Sequence, residues 1–210
     1  GVNQIIALDD LPDCMADATL ATEDANFYAH PGVDVEGVVR ALWINIRGGE
    51  VVAGGSTITQ QVVRNLLLDP DQRTARTLRR KLRESILAVE LTQRYSRDEI
   101  LALYLNQTYY GNMSYGVGAA SQAYFGKGAA ELTLAECAML AGLPQAPALY
   151  DPLTNPEAAK ERQRVVLDLM ARHGFITQAQ ADQSHAEPLN YAAVPFPIDA
   201  PHFVAAVWTQ

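Results

Sequence analysis

The chain has 210 residues, a formal net charge of −8 and 49% hydrophobic residues. That length can bury the core of one domain or two closely joined lobes, and that apolar content excludes a disordered chain. The acidic balance argues against general nucleic-acid binding, two cysteines are too few for a disulfide framework, and no run of eighteen apolar residues is present to span a bilayer.

Residues 1–9, with Val2, Ile5, Ile6 and Leu8, read as a short extended stretch. A helix is expected from near Asp10 toward Ala21, with Pro12 in its first turn, ending as Glu23-Asp24 begins. Residues 33–47 read as a second helix, with Val35, Val38, Val39, Leu42, Trp43 and Ile46 at helical spacing and Gly48-Gly49 as its stop. Val51-Val52 leads into a Gly54-Gly55 turn, after which Ser56 or Thr57 can cap a helix running to Leu68. The expected buried stripe of that helix is Ile58, Val62, Val63, Leu66 and Leu67. Asp69-Pro70-Asp71 breaks it, and a long helix follows through Leu78, Leu82, Ile86, Leu87, Val89 and Leu91 to Arg94.

Three capping boxes then mark helix starts: Ser96 to Glu99, Thr133 to Glu136 and Thr177 to Gln180. The first opens a helix ending near Asn106, with Ile100, Leu101, Leu103 and Tyr104 inside. A tyrosine-rich loop over 107–115 precedes a helix over 116–125. The second box opens the helix that holds Cys137, which reads as a buried thiol rather than a partner of Cys14. Asn155-Pro156-Glu157 starts a helix to Arg172, with Gly174 just past its end. From Pro188 the tail is proline-rich and extended. No strand-and-crossover repeat appears, so the class is mainly α.

Charge is uneven along this acidic chain. Arg64, Arg73, Arg76, Arg79, Arg80, Lys81, Arg83, Arg94 and Arg97 account for nine of its sixteen basic residues. A local anionic ligand fits that bias. A solvated helix face balanced by Asp69, Asp71, Glu84 and Glu90 fits it equally. Upstream, the glycines, hydroxyls and amides of Gly54-Gly55-Ser56-Thr57-Ile58-Thr59-Gln60-Gln61 make a helix N-terminus suited to an anion.

Three ordered patterns carry a resemblance. Residues 23–32 read Glu-Asp-x-x-Phe-x-x-His-x-Gly, residues 54–61 read Gly-Gly-Ser-Thr-Ile-Thr-Gln-Gln, and residues 80–84 read Arg-Lys-x-x-Glu. Tyr104-Leu105-Asn106 and Tyr124-Phe125-Gly126-Lys127 extend the match over roughly residues 20–175. In these stretches the chain resembles the peptidoglycan glycosyltransferases, the polymerase module of bifunctional class A penicillin-binding proteins (glycosyltransferase family 51). The loop between Arg64 and Arg76 is a few residues longer than is usual in that family, and position 64 holds arginine where many members have lysine.

The resemblance implies a lysozyme-like, two-lobed domain over residues 1–187. Residues 188–210 would be an extended segment leading toward a transpeptidase domain. It implies polymerisation of lipid II on a growing glycan chain by an inverting mechanism, at the outer face of the cytoplasmic membrane of a bacterial envelope. The family is normally tethered by a preceding helix, so the chain is expected to be an excised fragment or a peripheral binder. Inverting carboxylate pairs stand about 6.5–9.5 Å apart. By resemblance Glu23 is the general base and Glu84 the second carboxylate, aiding donor or pyrophosphate placement. Asp24 and His30 support the fold around Glu23, and Phe27 packs beneath it.

Arg64, Arg76 and Lys81 are the expected pyrophosphate cations, with Ser56 and Gln61 as neutral donors. Asn106 is open between a structural role and a substrate contact. No zinc spacing is present and no cofactor is required, although a divalent ion, magnesium or manganese, bridging the pyrophosphate is compatible with the sequence. Trp43, Ile44, Ile46, Val51 and Val52 form either core or a surface that dips into lipid. Two rivals share parts of this pattern. A glycan hydrolase needs Glu23 but no pyrophosphate-binding helix, and a lipid-binding module needs the cations but not Glu23.

Overall fold

The computed structural model describes residues 5–34, 56–68 and 77–192. Eight α-helices stand among the described residues: α1 (Asp13–Glu23), α2 (Ile58–Leu66), α3 (Leu78–Arg94), α4 (Arg97–Gln107), α5 (Val117–Phe125), α6 (Leu134–Gly142), α7 (Pro156–Arg172) and α8 (Gln178–Ala186). The only extended pairing among them is an isolated bridge between Tyr109 and Tyr115. The class is therefore mainly α, as the periodicity implies.

Local chemistry sets the helix ends. Pro12 stands just ahead of α1 as its N-cap, one position earlier than a first-turn proline, and a short 3-10 turn at Leu8–Asp10 replaces the expected start near Asp10. Thr57, Ser96, Thr133 and Thr177 each accept the N3 amide, while the N3 side chain returns to the cap backbone. Each cap satisfies two of the amides that a helix start leaves bare, worth ~1 kcal/mol for the hydroxyl alone. Gly126, at φ +68°, ends α5 in the left-handed region that glycine enters without a Cβ penalty.

The helices pack as two groups. In the first, α6 lies against α7 and α1, and α7 also against α1 and α8. Residues Ala135 to Gly142 of α6 are all buried, and small side chains (Ala135, Ala138, Ala141, Ala18, Ala21, Ala159) let the axes approach closely. Met15, Met139, Leu140, Leu167 and Met170 fill the remaining space. In the second group α2 packs on both α3 and α4. A loop from Gly111 to Gly116 then turns back toward α5, with Gly116 at φ +83°. A Cβ at Gly116 would fall 2.6 Å from the Asn106 carbonyl oxygen.

Two expectations are corrected here. Cys14 and Cys137 are joined as a disulfide, with Cα atoms 5.9 Å apart, so Cys137 is not a free thiol. Residues on α1 and α6 meet only because those helices pack, which spacing along the chain cannot reveal. The buried stripe of α2 is Ile58, Val62 and Val63, but Leu66 and Leu67 are exposed. Thr59 and Gln60 are buried instead, and so is Leu68 just past the helix end. The apolar cluster around Trp43 lies outside the described residues, as does the tail from 193 onward. Residues 188–192 precede it, and there Ala192 N–H donates to the Tyr124 carbonyl at 2.8 Å while Tyr191 stacks on Phe125. Among the described residues, no helix is long and apolar enough to cross a membrane.

Candidate active site

Glu23 is the last residue of α1, and the chain turns immediately after it. Asp24 anchors that turn. Its carboxylate accepts the Ile58 N–H at the start of α2 (3.1 Å) and faces His30 Nε2 (2.9 Å). A buried carboxylate at a helix N-terminus is favoured by the unsatisfied amides there. His30 Nδ1 accepts the Gly32 N–H at 3.2 Å, so its ring hydrogen belongs on Nε2, toward Asp24. Thr57 Oγ1 donates to the Gly32 carbonyl at 2.7 Å, and an Arg97 Nη donates to the His30 carbonyl while its guanidinium lies 5.6 Å over Phe27. Segment 23–32 is thereby fixed onto the start of α2, and Phe27 is fully buried beneath it.

On the first turns of α2 the two glutamines face different partners. Gln61 Nε2 donates to Glu23 Oε2 at 2.7 Å. Gln60 Oε1 accepts both the Thr57 N–H (3.1 Å) and Lys81 Nζ (3.2 Å), and its amide nitrogen donates to Ser85 Oγ at 2.9 Å. Lys81 Nζ also donates to Ser56 Oγ at 2.6 Å. Burial pushes the Lys81 ammonium below its ordinary value, Glu84 works to restore it, and Arg64 and Arg80 press it lower. Glu84, one turn from Lys81 on α3, is fully buried with Arg80 Nε 3.5 Å away.

Burial likewise pushes the Glu23 carboxyl above its ordinary value. The Gln61 hydrogen bond opposes this, as do the guanidinium charges of Arg162 and then Arg64, while Asp24 adds to it. Two tyrosines close the surroundings. Among the described residues the buried Tyr110 hydroxyl has no hydrogen-bond partner, and burial followed by the Glu23 charge pushes Tyr104 and Tyr110 well above the ordinary phenol value, with the Thr108 hydroxyl opposing this at Tyr104. They stay neutral donors near a carboxylate.

The structure thus brings together Glu23, Asp24, His30, Ser56, Gln61, Arg64, Lys81 and Glu84. Asn106 is drawn elsewhere: its side chain accepts from Ile6 N–H and donates to the Ile6 and Ala102 carbonyls, clasping the N-terminal stretch to α4. Arg76, with Gly54 and Gly55, lies outside the described residues. Reasoning along the chain missed Gln60, Tyr104, Tyr110 and Arg162 as members of the site. Gln60 could have been found, because it completes a Thr57-x-x-Gln60 capping box that buries it. Tyr104 was legible only as core, and nothing in spacing relates Arg162 on α7 to Glu23. Among the described residues, no group of three or more His, Cys, Asp or Glu side chains could hold a metal ion.

A carboxylate primed to take a proton, beside a cluster of cations and neutral donors, can deprotonate a hydroxyl while a charged leaving group is held nearby. The chain is similar to known proteins over most of its length. Residues 2–171 match the family model described as transglycosylase. The chain is 49% identical to penicillin-binding protein 1A of Neisseria flavescens over 88% of its length and 46% identical to that of Escherichia coli K12 over 94%. It spans 23% of the length of each of those relatives. A crystal structure of penicillin-binding protein 1A from Haemophilus influenzae superposes with a TM-score of 0.58 at 27% identity, covering 98% of this chain and 20% of that one. The fold is the mainly α, lysozyme-like one of that structural neighbour.

Proposed function

This chain belongs to the transglycosylase family, and we propose that it is a peptidoglycan glycosyltransferase that polymerises lipid II into β-1,4-linked glycan with release of undecaprenyl pyrophosphate. The observation that carries this reading is the 2.7 Å bond from Gln61 to Glu23. It couples the carboxylate to the helix whose neighbour presents Lys81.

Glu23 acts as general base. It takes the proton of the acceptor 4-hydroxyl as that oxygen attacks the anomeric carbon of the donor. Attack comes from the face opposite the pyrophosphate, so the α-linkage becomes β. The C1–O bond breaks with its electron pair on the pyrophosphate oxygen. Lys81, Arg64 and Arg76 neutralise that charge, with Ser56 and Gln61 as uncharged donors. Lys81 already donates to Ser56, so an incoming phosphate oxygen replaces a hydroxyl on a preset ammonium. Glu84 works from behind these cations, holding Arg80 and Lys81 in place. The raised Glu23 value makes it a stronger base than a solvated carboxylate at the pH where it is ionised.

The lipid-linked substrate puts the working enzyme at the outer face of the cytoplasmic membrane. The longer relatives suggest a transpeptidase domain beyond residue 210 in the full-length protein, with residues 188–210 as the link and residues 1–187 as the polymerase domain. The cluster around Trp43 is the expected lipid-facing surface. No step in this scheme needs a metal ion.

Incubating the purified chain with lipid-linked disaccharide-peptide in detergent, and separating products by size, tests this reading. Long glycan and free lipid pyrophosphate are expected, with both lost in Glu23→Gln at unchanged substrate binding. A Glu23→Gln chain that still polymerises would remove the base assignment. Cleavage of preformed glycan without polymerisation would make the chain a hydrolase.

A further inference from the structure

Arg97 is the first residue of α4, just after the Ser96 cap. Bare amides at a helix start repel a cation, and the next two residues, Asp98 and Glu99, are acidic as that position favours. Its own helix does not explain the arginine, whose side chain is turned onto the segment that follows Glu23. One Nη donates to the His30 carbonyl, the guanidinium lies 5.6 Å over the Phe27 ring, and the other Nη is buried. A guanidinium closed in this way is not offered to an anion from solvent, so Arg97 differs in kind from Arg64 and Lys81.

The same segment is gripped along its length. Three successive carbonyls are each taken by a different helix or its cap: His30 by Arg97 of α4, Pro31 by Thr92 Oγ1 of α3 at 3.1 Å, and Gly32 by the Thr57 cap of α2 at 2.7 Å. Arg97 supplies the charged donor among the three, and charge-assisted hydrogen bonds are the stronger kind. Asp98, beside it, accepts the Tyr28 hydroxyl at 2.8 Å. Gly32, at φ +93°, lies so close to α3 that a Cβ would fall 2.6 Å from the Ala88 carbonyl oxygen. From His30 the connection runs back through its ring to Asp24 at 2.9 Å, and Asp24 directly follows Glu23. α1, which ends in Glu23, packs with α6 and α7, whereas Lys81 and Glu84 ride on α3. Segment 24–32 is therefore where the carboxylate side of the site is registered against the cation side.

We infer that Arg97 is a positioning residue: by holding the His30 carbonyl and the Phe27 ring it fixes segment 24–32, and with it the Glu23 turn, against the helices that carry Lys81. Its effect on rate rests on the reading of Glu23 as the base.

The test compares polymerisation by this chain with Arg97→Ala and Arg97→Lys, at a temperature where circular dichroism shows each fully folded. Alanine removes the donor and the ring contact; lysine keeps a charged donor for the His30 carbonyl. Arg97→Ala should lower kcat by roughly ten- to a hundredfold, the cost of a small misplacement, with KM within about twofold, and Arg97→Lys should recover most of the loss. Amide hydrogen exchange at Phe27, Ala29 and Gly32, whose N–H groups bond within the segment, should quicken about tenfold in Arg97→Ala and little in Arg97→Lys. A rise in KM in place of the fall in kcat would make Arg97 a substrate cation, and unchanged exchange would mean that it does not hold the segment; either overturns the inference. So does quickened exchange with kcat unchanged, the mark of a merely structural contact. Should Arg97→Ala not fold, the unaltered chain still decides: NMR should show hindered rotation of the Arg97 guanidinium, and free rotation would overturn the inference. If Arg97→Ala behaves as expected but Glu23→Gln still polymerises, the positioning stands and the base assignment alone fails.

Discussion

α6 and α3 show how differently the two sides of this site are held. Every residue of α6 from Ala135 to Gly142 is buried, in contact with α1 and α7. On α3, a longer helix, the buried residues are Glu84 and Ala88, and Leu78, Leu82 and Ile86 are exposed. The helix carrying Glu23 is thus mounted on an apolar, close-packed group. Among the described residues, the helix carrying Lys81 makes polar contacts to α2, from Lys81 to Ser56 and Gln60 and from Gln60 to Ser85. Apolar burial fixes a backbone, and that rigidity suits Glu23 in the role proposed for it, because misplacement weakens proton transfer. Hydrogen-bonded cations can exchange protein partners for phosphate oxygens, which suits the leaving-group role proposed for Lys81.

Breaking the packed side should have the largest effect on stability. Leu140→Ala deletes a fully buried side chain of α6 and should lower unfolding free energy by ~3 kcal/mol in denaturant melts. A loss below ~1 kcal/mol would mean that α6 is not the rigid mount. Thr57→Ala removes both the α2 cap and the bond to the Gly32 carbonyl and should lose ~1–2 kcal/mol. Because Thr57 also ties residues 23–32 to α2, activity should fall more than the melt alone explains.

On the polar side the contrast reverses. Lys81→Met should weaken binding of pyrophosphate-bearing substrate by about tenfold or more, since a charged hydrogen bond contributes ~1.5–3 kcal/mol, with little change in melting temperature. Unchanged affinity would move the phosphate site elsewhere. Glu23→Gln should raise the melting temperature modestly at neutral pH. The folded-state value of Glu23 is raised, so its contribution to stability is fully present below the ordinary carboxylate range and is lost as pH rises through the folded value. The gain from glutamine should therefore shrink on acidification; a gain independent of pH would deny that Glu23 is destabilised by burial. Smallest of all, Leu82→Ser on the open face of α3 should change stability by no more than ~0.5 kcal/mol.

Much of this arrangement was legible along the chain. Three predicted capping boxes open α4, α6 and α8 where the spacing put them, because a cap depends on residues three apart and little else. The approach of Glu23 to Gln61 and of Ser56 to Lys81 was legible as a family pattern rather than as geometry. The Cys14–Cys137 pairing joins neighbours remote in sequence, whereas the 3-10 turn ahead of α1 is a local departure. Leu66 and Leu67 obey helical periodicity yet face outward, since periodicity names a face but not where its cover stops.

What the sequence determined by itself was the helix content, most helix ends and the identity of the motif residues, because those follow from local propensity and short-range hydrogen bonding. Tertiary structure alone decided three things: the Cys14–Cys137 pairing, the burial of Glu84 beside Arg80, and the clasp that ties Asn106 to the N-terminal stretch. Each depends on which helix packs against which. Packing is settled by the summed burial of many side chains, and no single spacing along the chain records that sum.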